Sequence, residues 1–254
     1  MIVYPAIDLR AGRCVRLVEG DFARETAYDA DPAAAAGGWA DAGAQWLHVV
    51  DLDGAVVGEP VNIEAIRRIC HAVDLSIELG GGLRLPQHLD AAFDAGIDRC
   101  ILGTAAIRSP DFVHEAVVRW GDRIAVGLDA RDGRLAADGW LDQTDLRATK
   151  IAADLHAAGV RHFIYTDIAR DGTLAGPNLP ALTEMIATLK TGVIASGGVG
   201  SLDDVWRVRE TGAAGVIIGR ALYDGRIDLA AAIAVAADGA PAQSSFRGER
   251  GIRP

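Results

Sequence analysis

Eight times along this chain a short apolar, β-branched run gives way to an Ala-rich stretch with apolar residues at helical spacing. The runs cover residues 2–8, 46–51, 75–79, 99–103, 124–129, 162–167, 193–196 and 215–219, and suit strands. The stretches 32–42, 61–71, 86–95, 110–119, 145–158, 180–189 and 202–211, with 228–237 closing, suit helices. Several open with Pro in the first turn (Asp31-Pro32, Ser109-Pro110) and several end on Gly (Gly43, Gly96, Gly159, Gly212). Pro lacks the N–H that a helix start leaves unpaired, and Gly turns the chain cheaply at a helix end. Strands alternating with helices make a parallel sheet. Eight such units predict an α/β fold, a closed (β/α)8 TIM barrel.

An internal repeat supports the closure. Asp8-Leu9-Arg10-Ala11-Gly12-Arg13 returns 121 positions later as Asp129-Ala130-Arg131-Asp132-Gly133-Arg134. Gly43 and Gly159, Asp51 and Asp167, Gly81 and Gly197, Gly96 and Gly212, and Gly103 and Gly219 are each 116 apart. The spacing predicts a two-fold half-barrel repeat, with halves at about 1–120 and 121–238 of one barrel. The difference between the offsets puts the extra residues between Asp8 and Gly43. Residues 13–29 are therefore expected as a long polar loop over the strand ends, where loops often act as lids. Residues 130–143 form the other long loop. The Pro-, Ser- and Arg-rich residues 239–254 are expected as an extension at the surface or an interface.

Composition narrows the function. With 254 residues, half of them apolar, the chain is long enough for one large barrel. A net charge of −10 and a pI near 5.0 argue against general nucleic-acid binding. An anionic ligand must then be held by backbone amides and a few arginines. No apolar run approaches the ~18 residues of a membrane span, and the N-terminus lacks a basic-then-apolar signal. Cys14, Cys70 and Cys100 form no CxxC, which points to a reduced, cytoplasmic protein. No histidines stand at metal-ligand spacing. Lys150 and Lys190 are placed away from the strand ends, which excludes Schiff-base aldolase chemistry, and no GxGxxG follows a strand. No metal or cofactor is expected, and the protein is expected as a monomer with a small-molecule partner.

In such barrels the chemistry sits at the C-terminal ends of the strands. Here those ends carry Asp8, Asp51, Gly80-Gly81-Gly82, Gly103-Thr104, Asp129, Thr166-Asp167, Ser196-Gly197-Gly198 and Gly219-Arg220. Glycines let a phosphate approach backbone N–H groups, and two such clusters stand half a barrel apart. A substrate with a phosphate at each end is implied. Counting back by two along the strands, Asp8 shares a face with Ala6, and Asp129 with Gly127 and Ala125. Small residues suit the barrel interior, so both carboxylates are predicted to point inward, a pair suited to general acid–base work. His48 shares a face with Val50, just below the site, and serves either as a core or supporting histidine or as a catalytic one. Trp140 either stacks on a substrate or anchors its loop.

Pro5-Ala6-Ile7-Asp8-Leu9, residues 15–21 (VRLVEGD), His48-Val49-Val50-Asp51-Leu52, residues 78–84 (ELGGGLR), residues 166–173 (TDIARDGT) and Ser196-Gly197-Gly198-Val199 together resemble one family. It is the phosphoribosylformimino-AICAR-ribotide isomerase family of histidine biosynthesis (HisA), and the resemblance runs from Met1 to about Ala237. It implies an Amadori rearrangement of an aminoaldose with two phosphates to an aminoketose, without a cofactor. By this resemblance Asp129 is the general acid that opens the ribose ring, and Asp8 removes the proton from the neighbouring carbon. Thr166 and Asp171 support the acid and the open-chain intermediate, while Arg16 and Trp140 close over the substrate. Gly81, Gly82, Arg84, Gly103, Thr104, Gly172, Gly197, Gly198, Gly219 and Arg220, with His48, are the implied binding residues. The sister cyclase has a Cys-Leu-Asp-Val pattern where this chain reads Ala6-Ile7-Asp8-Leu9. Dual-substrate relatives that also isomerise phosphoribosylanthranilate read Ser-Gly-Gly at Gly80-Gly81-Gly82 and Arg at Asp138, so both departures imply the single-substrate enzyme.

Overall fold

The structure is a computed structural model that describes residues 1–28 and 31–238; the expected C-terminal extension lies outside the described residues. The first strand, β1 (Ile2–Arg10), runs on into an antiparallel hairpin, β2 (Arg13–Val18) and β3 (Asp21–Ala27). Then come α1 (Pro32–Asp41), β4 (Trp46–Asp51), α2 (Leu52–Val57), α3 (Ile63–Ala72), β5 (Ser76–Gly80), α4 (Pro86–Asp94), β6 (Arg99–Leu102), α5 (Thr104–Arg108) and α6 (Pro110–Trp120). The second half repeats this plan. It has β7 (Ile124–Arg131), the hairpin β8 (Arg134–Ala137) and β9 (Asp142–Arg147), then α7 (Ala148–Ala157), β10 (His162–Asp167) and α8 (Leu179–Leu189). It ends with β11 (Gly192–Ser196), α9 (Leu202–Glu210), β12 (Gly215–Ile218), α10 (Arg220–Tyr223) and α11 (Leu229–Asp238).

The eight expected strands close a parallel barrel in the order β1, β4, β5, β6, β7, β10, β11, β12 and back to β1. Strand alternation splits the apolar residues as the sequence pattern predicts. Ile7, Val126 and Leu128 face outward and pack under the helices, each burial worth about 1.5–3 kcal/mol. Ala6 and Ala125 face inward with Tyr4, Ile101, Ile164, Ile194 and Ile217.

The polar loop expected over residues 13–29 is not what the described residues form. Residues 13–27 make a hairpin whose first strand is largely buried, with Cys14, Val15, Arg16 and Leu17 turned toward the protein. The recurring hexapeptide is the reason. Ala11-Gly12 (φ 48° and 72°) and Asp132-Gly133 (φ 52° and 73°) each make a two-residue turn with both φ values positive, the turn that reverses a twisted strand onto itself. The repeat therefore marks two outgrowths of the barrel, one on the first strand of each half. The same outgrowth corrects the start of the expected 145–158 helix. Residues 145–147 pair with β8 as the end of β9, and the helix starts at Ala148. Among the described residues no helix is long and apolar enough to cross a membrane.

Candidate active site

The mouth at the C-terminal strand ends is one cavity of about 250 Å³. Every residue expected to be catalytic or to bind substrate lines it: Asp8, Arg16, His48, Gly81, Gly82, Arg84, Gly103, Thr104, Asp129, Trp140, Thr166, Asp171, Gly172, Gly197, Gly198, Gly219 and Arg220, whereas Asp51, Asp138 and Asp167 do not.

Its two rims are built alike. Behind the first, the buried Asp51 carboxylate accepts hydrogen bonds from the backbone N–H groups of Gly54, Val61 and Asn62 and from the Asn62 amide, all at 2.7–2.8 Å. Behind the second, Asp167 accepts from the Ala169 N–H at 3.0 Å and the Asn178 amide at 2.6 Å. Asn62 and Asn178 share the 116-residue offset, so each half clamps its loop with the same Asp–Asn pair. Gly81 lies on the first clamp with φ 99°, and a Cβ there would stand 2.1 Å from the Asp51 carbonyl oxygen; only glycine fits. Gly103 (φ −92°, ψ −94°) and Gly219 (φ −105°, ψ −100°) adopt matching conformations before α5 and α10. The rims thus bring backbone within reach of a ligand at two opposite places.

Between the rims lie the acids. Asp129 ends its inward run beside its register partner Thr166. Its Oδ2 accepts a 2.7 Å hydrogen bond from Trp140 Nε1. Burial raises its pKa, against the hydrogen bonds from Trp140 and Thr166 and the charge of His48, which lower it. Asp171 is pushed up to about 7, first by burial, then by the charge of Asp8; Arg16 pulls the other way and Asp129 adds to the rise. Asp8 is ion-paired with Arg16 at 2.6 Å. Arg16 is itself 7% exposed, lies on β2 rather than free on a loop, donates to the Ala6 carbonyl and sits 4.9 Å from the Tyr223 ring centre.

The two outgrowths meet over this floor. The Trp140 ring lies against Gly20 at the tip of the first hairpin. That hairpin is tied to the β10–α8 loop by the Glu19 N–H to the Asp171 carbonyl at 3.0 Å. The second is tied to the first rim by the Asp138 N–H to Thr104 Oγ1 at 3.0 Å. Arg84 and Arg108 bracket the Asp138 carboxylate at 3.7 and 3.1 Å. Arg220 donates to the Gly172 carbonyl at 2.8 Å and pairs with Asp224 at 3.0 Å. Among the described residues no three His, Cys, Asp or Glu side chains are placed to hold a metal ion.

Comparison with known proteins agrees with this geometry. The histidine biosynthesis protein family matches residues 2–228. The chain belongs to that family. A relative from Rhodospirillum rubrum is 51% identical over 241 residues, 94% of this chain and all of the relative. One from Paracoccus denitrificans is 50% identical over 234 residues, 92% of this chain and 98% of the relative. Both are named as isomerases of a 1-(5-phosphoribosyl)imidazole-4-carboxamide bearing a (5-phosphoribosylamino)methylideneamino arm.

Within this family member, sequence reading passed over Glu78, Tyr223 and the Asp138 bracket. Glu78 stands two residues before Gly80 on an inward-facing period, so its place inside the barrel could have been counted. Tyr223 carries no local signal; only the return of α10 toward β2 puts it beside Arg16. The second hairpin did have one, since Asp132-Gly133 is a strong turn dipeptide.

Proposed function

We propose that this chain catalyses the Amadori rearrangement of the N-phosphoribosylformimino aminoaldose (ProFAR) to the aminoketose (PRFAR) in histidine biosynthesis. The observation that carries the reading is a pair of carboxylates in unlike surroundings, facing one cavity between two repeat-related glycine rims. Asp129, whose pKa burial raises, is the one suited to give a proton; Asp8, paired with a guanidinium, is placed to accept one.

Asp129 protonates the ribose ring oxygen, the C1–O bond breaks, and the nitrogen lone pair forms the C1=N Schiff base. Asp8 then takes the proton from C2, and that electron pair makes the C1=C2 enolamine, which tautomerises to the ketose. Thr166 and Trp140 orient Asp129 through their hydrogen bonds, and Asp171 shares the charge of the site. The two glycine rims hold the two phosphates, and the two hairpins cover the intermediate from water. The three cysteines, all without disulfide partners, support a cytoplasmic setting.

The test is conversion of purified aminoaldose by the wild type, Asp8→Asn and Asp129→Asn. We expect turnover by the wild type and losses of roughly 10²–10⁴-fold in each variant with the fold intact. Near-wild-type turnover in either variant would remove that carboxylate from the mechanism.

A further inference from the structure

Below the cavity floor three polar side chains meet inside the barrel. His48, Glu78 and Arg99 are register partners on β4, β5 and β6. Glu78 Oε1 is 2.8 Å from His48 Nδ1, and Oε2 is 3.3 Å from Arg99 Nη1. Glu78 is fully buried. The Arg99 guanidinium lies 4.3 Å from the Trp46 ring centre, and Tyr4 packs on the same indole at 5.8 Å.

A buried ion pair is rarely what stability requires, since packed apolar residues of similar volume do as well or better. The neighbouring interior positions are filled that way, with Ile101, Ala125, Ile164 and Ile217. Of the three polar residues, only His48 lines the cavity.

We propose that Glu78 is a positioning residue for the isomerase reaction: it takes the Nδ1–H of His48 and, held by Arg99 at its other oxygen, leaves Nε2 as the nitrogen offered to substrate. The inference rests on the isomerase reading above. A carboxylate oxygen only accepts, so Nδ1 carries a proton; a guanidinium only donates, so the atom facing Arg99 must be an oxygen. A consequence follows for Glu78→Gln. The amide oxygen turns to Arg99 and the NH2 to His48, which must then accept at Nδ1 and carry its proton on Nε2. One atom is exchanged at almost constant core volume, and the histidine tautomer inverts.

The experiment compares the wild type, Glu78→Gln, His48→Ala and the double variant by steady-state kinetics. Nitrogen-resolved imidazole NMR is recorded in parallel, with His48 assigned by the loss of its signals in His48→Ala. Glu78→Gln should lower kcat by about 10–100-fold, the range known for partners that orient a metal-bound imidazole, while KM changes little. The His48 signals should move from Nδ1–H to Nε2–H. In the His48→Ala background the Glu78→Gln change should have no further effect on kcat. Should Glu78→Gln fail to fold, Glu78→Gln with Arg99→Met removes the guanidinium whose charge the amide no longer neutralises. The amide is then free to return its oxygen to His48, and both turnover and the Nδ1–H signal should be present. Wild-type kcat in Glu78→Gln, an unchanged tautomer, or additive losses in the double variant would overturn the proposal. Wild-type enzyme in the same assay separates the two readings. Its failure to turn over the aminoaldose counts against the isomerase assignment, whereas the tautomer spectra still decide how His48 is held.

Discussion

Trp140 Nε1 donates a 2.7 Å hydrogen bond to Asp129 Oδ2. The indole comes from the second hairpin and the carboxylate from a barrel strand, so loop placement and acid strength are coupled. The bond favours the ionised acid and partly offsets the rise that burial causes. In Trp140→Phe the proton on Asp129 is held more tightly. The alkaline limb of kcat/KM, which reports loss of that proton from the free enzyme, should move to higher pH. Turnover should fall about fivefold or more, the equivalent of a hydrogen bond worth about 1 kcal/mol. A pH–rate profile checks it; an unmoved alkaline limb would show that Trp140 does not act on the acid.

Asp171 offers a test through stability. Its pKa is pushed up from 3.8 to about 7, first by burial and then by Asp8. Between those values the folded state binds more protons than the unfolded state, so stability falls as pH rises through the window and levels off above about 7. Asp171→Asn cannot ionise and loses that slope. The variant should gain in Tm over wild type at pH 8 relative to pH 5, measured by thermal unfolding followed by circular dichroism. Parallel Tm profiles for the two proteins would contradict the assignment.

Gly81 and Gly12 separate backbone strain from steric contact. Both have positive φ, 99° and 72°, but a Cβ at Gly81 would meet the Asp51 carbonyl at 2.1 Å, while at Gly12 it meets nothing within 4 Å. Gly12→Ala should cost about 1 kcal/mol. Gly81→Ala adds a backbone clash to strain of about 1–3 kcal/mol, so it should lose clearly more stability and distort the rim. Equal denaturation midpoints for the two variants would refute the close approach at Gly81.

Substrate range follows from Asp138. Its carboxylate already occupies Arg84, an arginine that lines the cavity, at 3.7 Å and Arg108 at 3.1 Å. Phosphoribosylanthranilate, which ends in a carboxylate, should therefore give a kcat/KM at least about tenfold below that for the histidine-pathway substrate, a difference of 1.4 kcal/mol. Asp138→Asn should narrow the gap. Comparable values in the wild type would mean that one enzyme serves both substrates.

What the sequence alone determined is local or periodic. The eight strands follow from short apolar runs, the half-barrel repeat from the constant 116-residue offset, and the inward aim of Asp8 and Asp129 from alternation, because side chains on a strand change face at every residue. Tertiary structure decided the partnerships. Arg16 sits on Asp8 because the chain doubles back at Ala11-Gly12, and Val15 becomes the register partner of Asp8. Glu78 lies under His48 because neighbouring strands align in that register. Asp138 lies between Arg84 and Arg108 only after the second hairpin folds over the first rim. Long charged side chains choose partners by what chain closure brings within reach, and no sequence spacing records that distance.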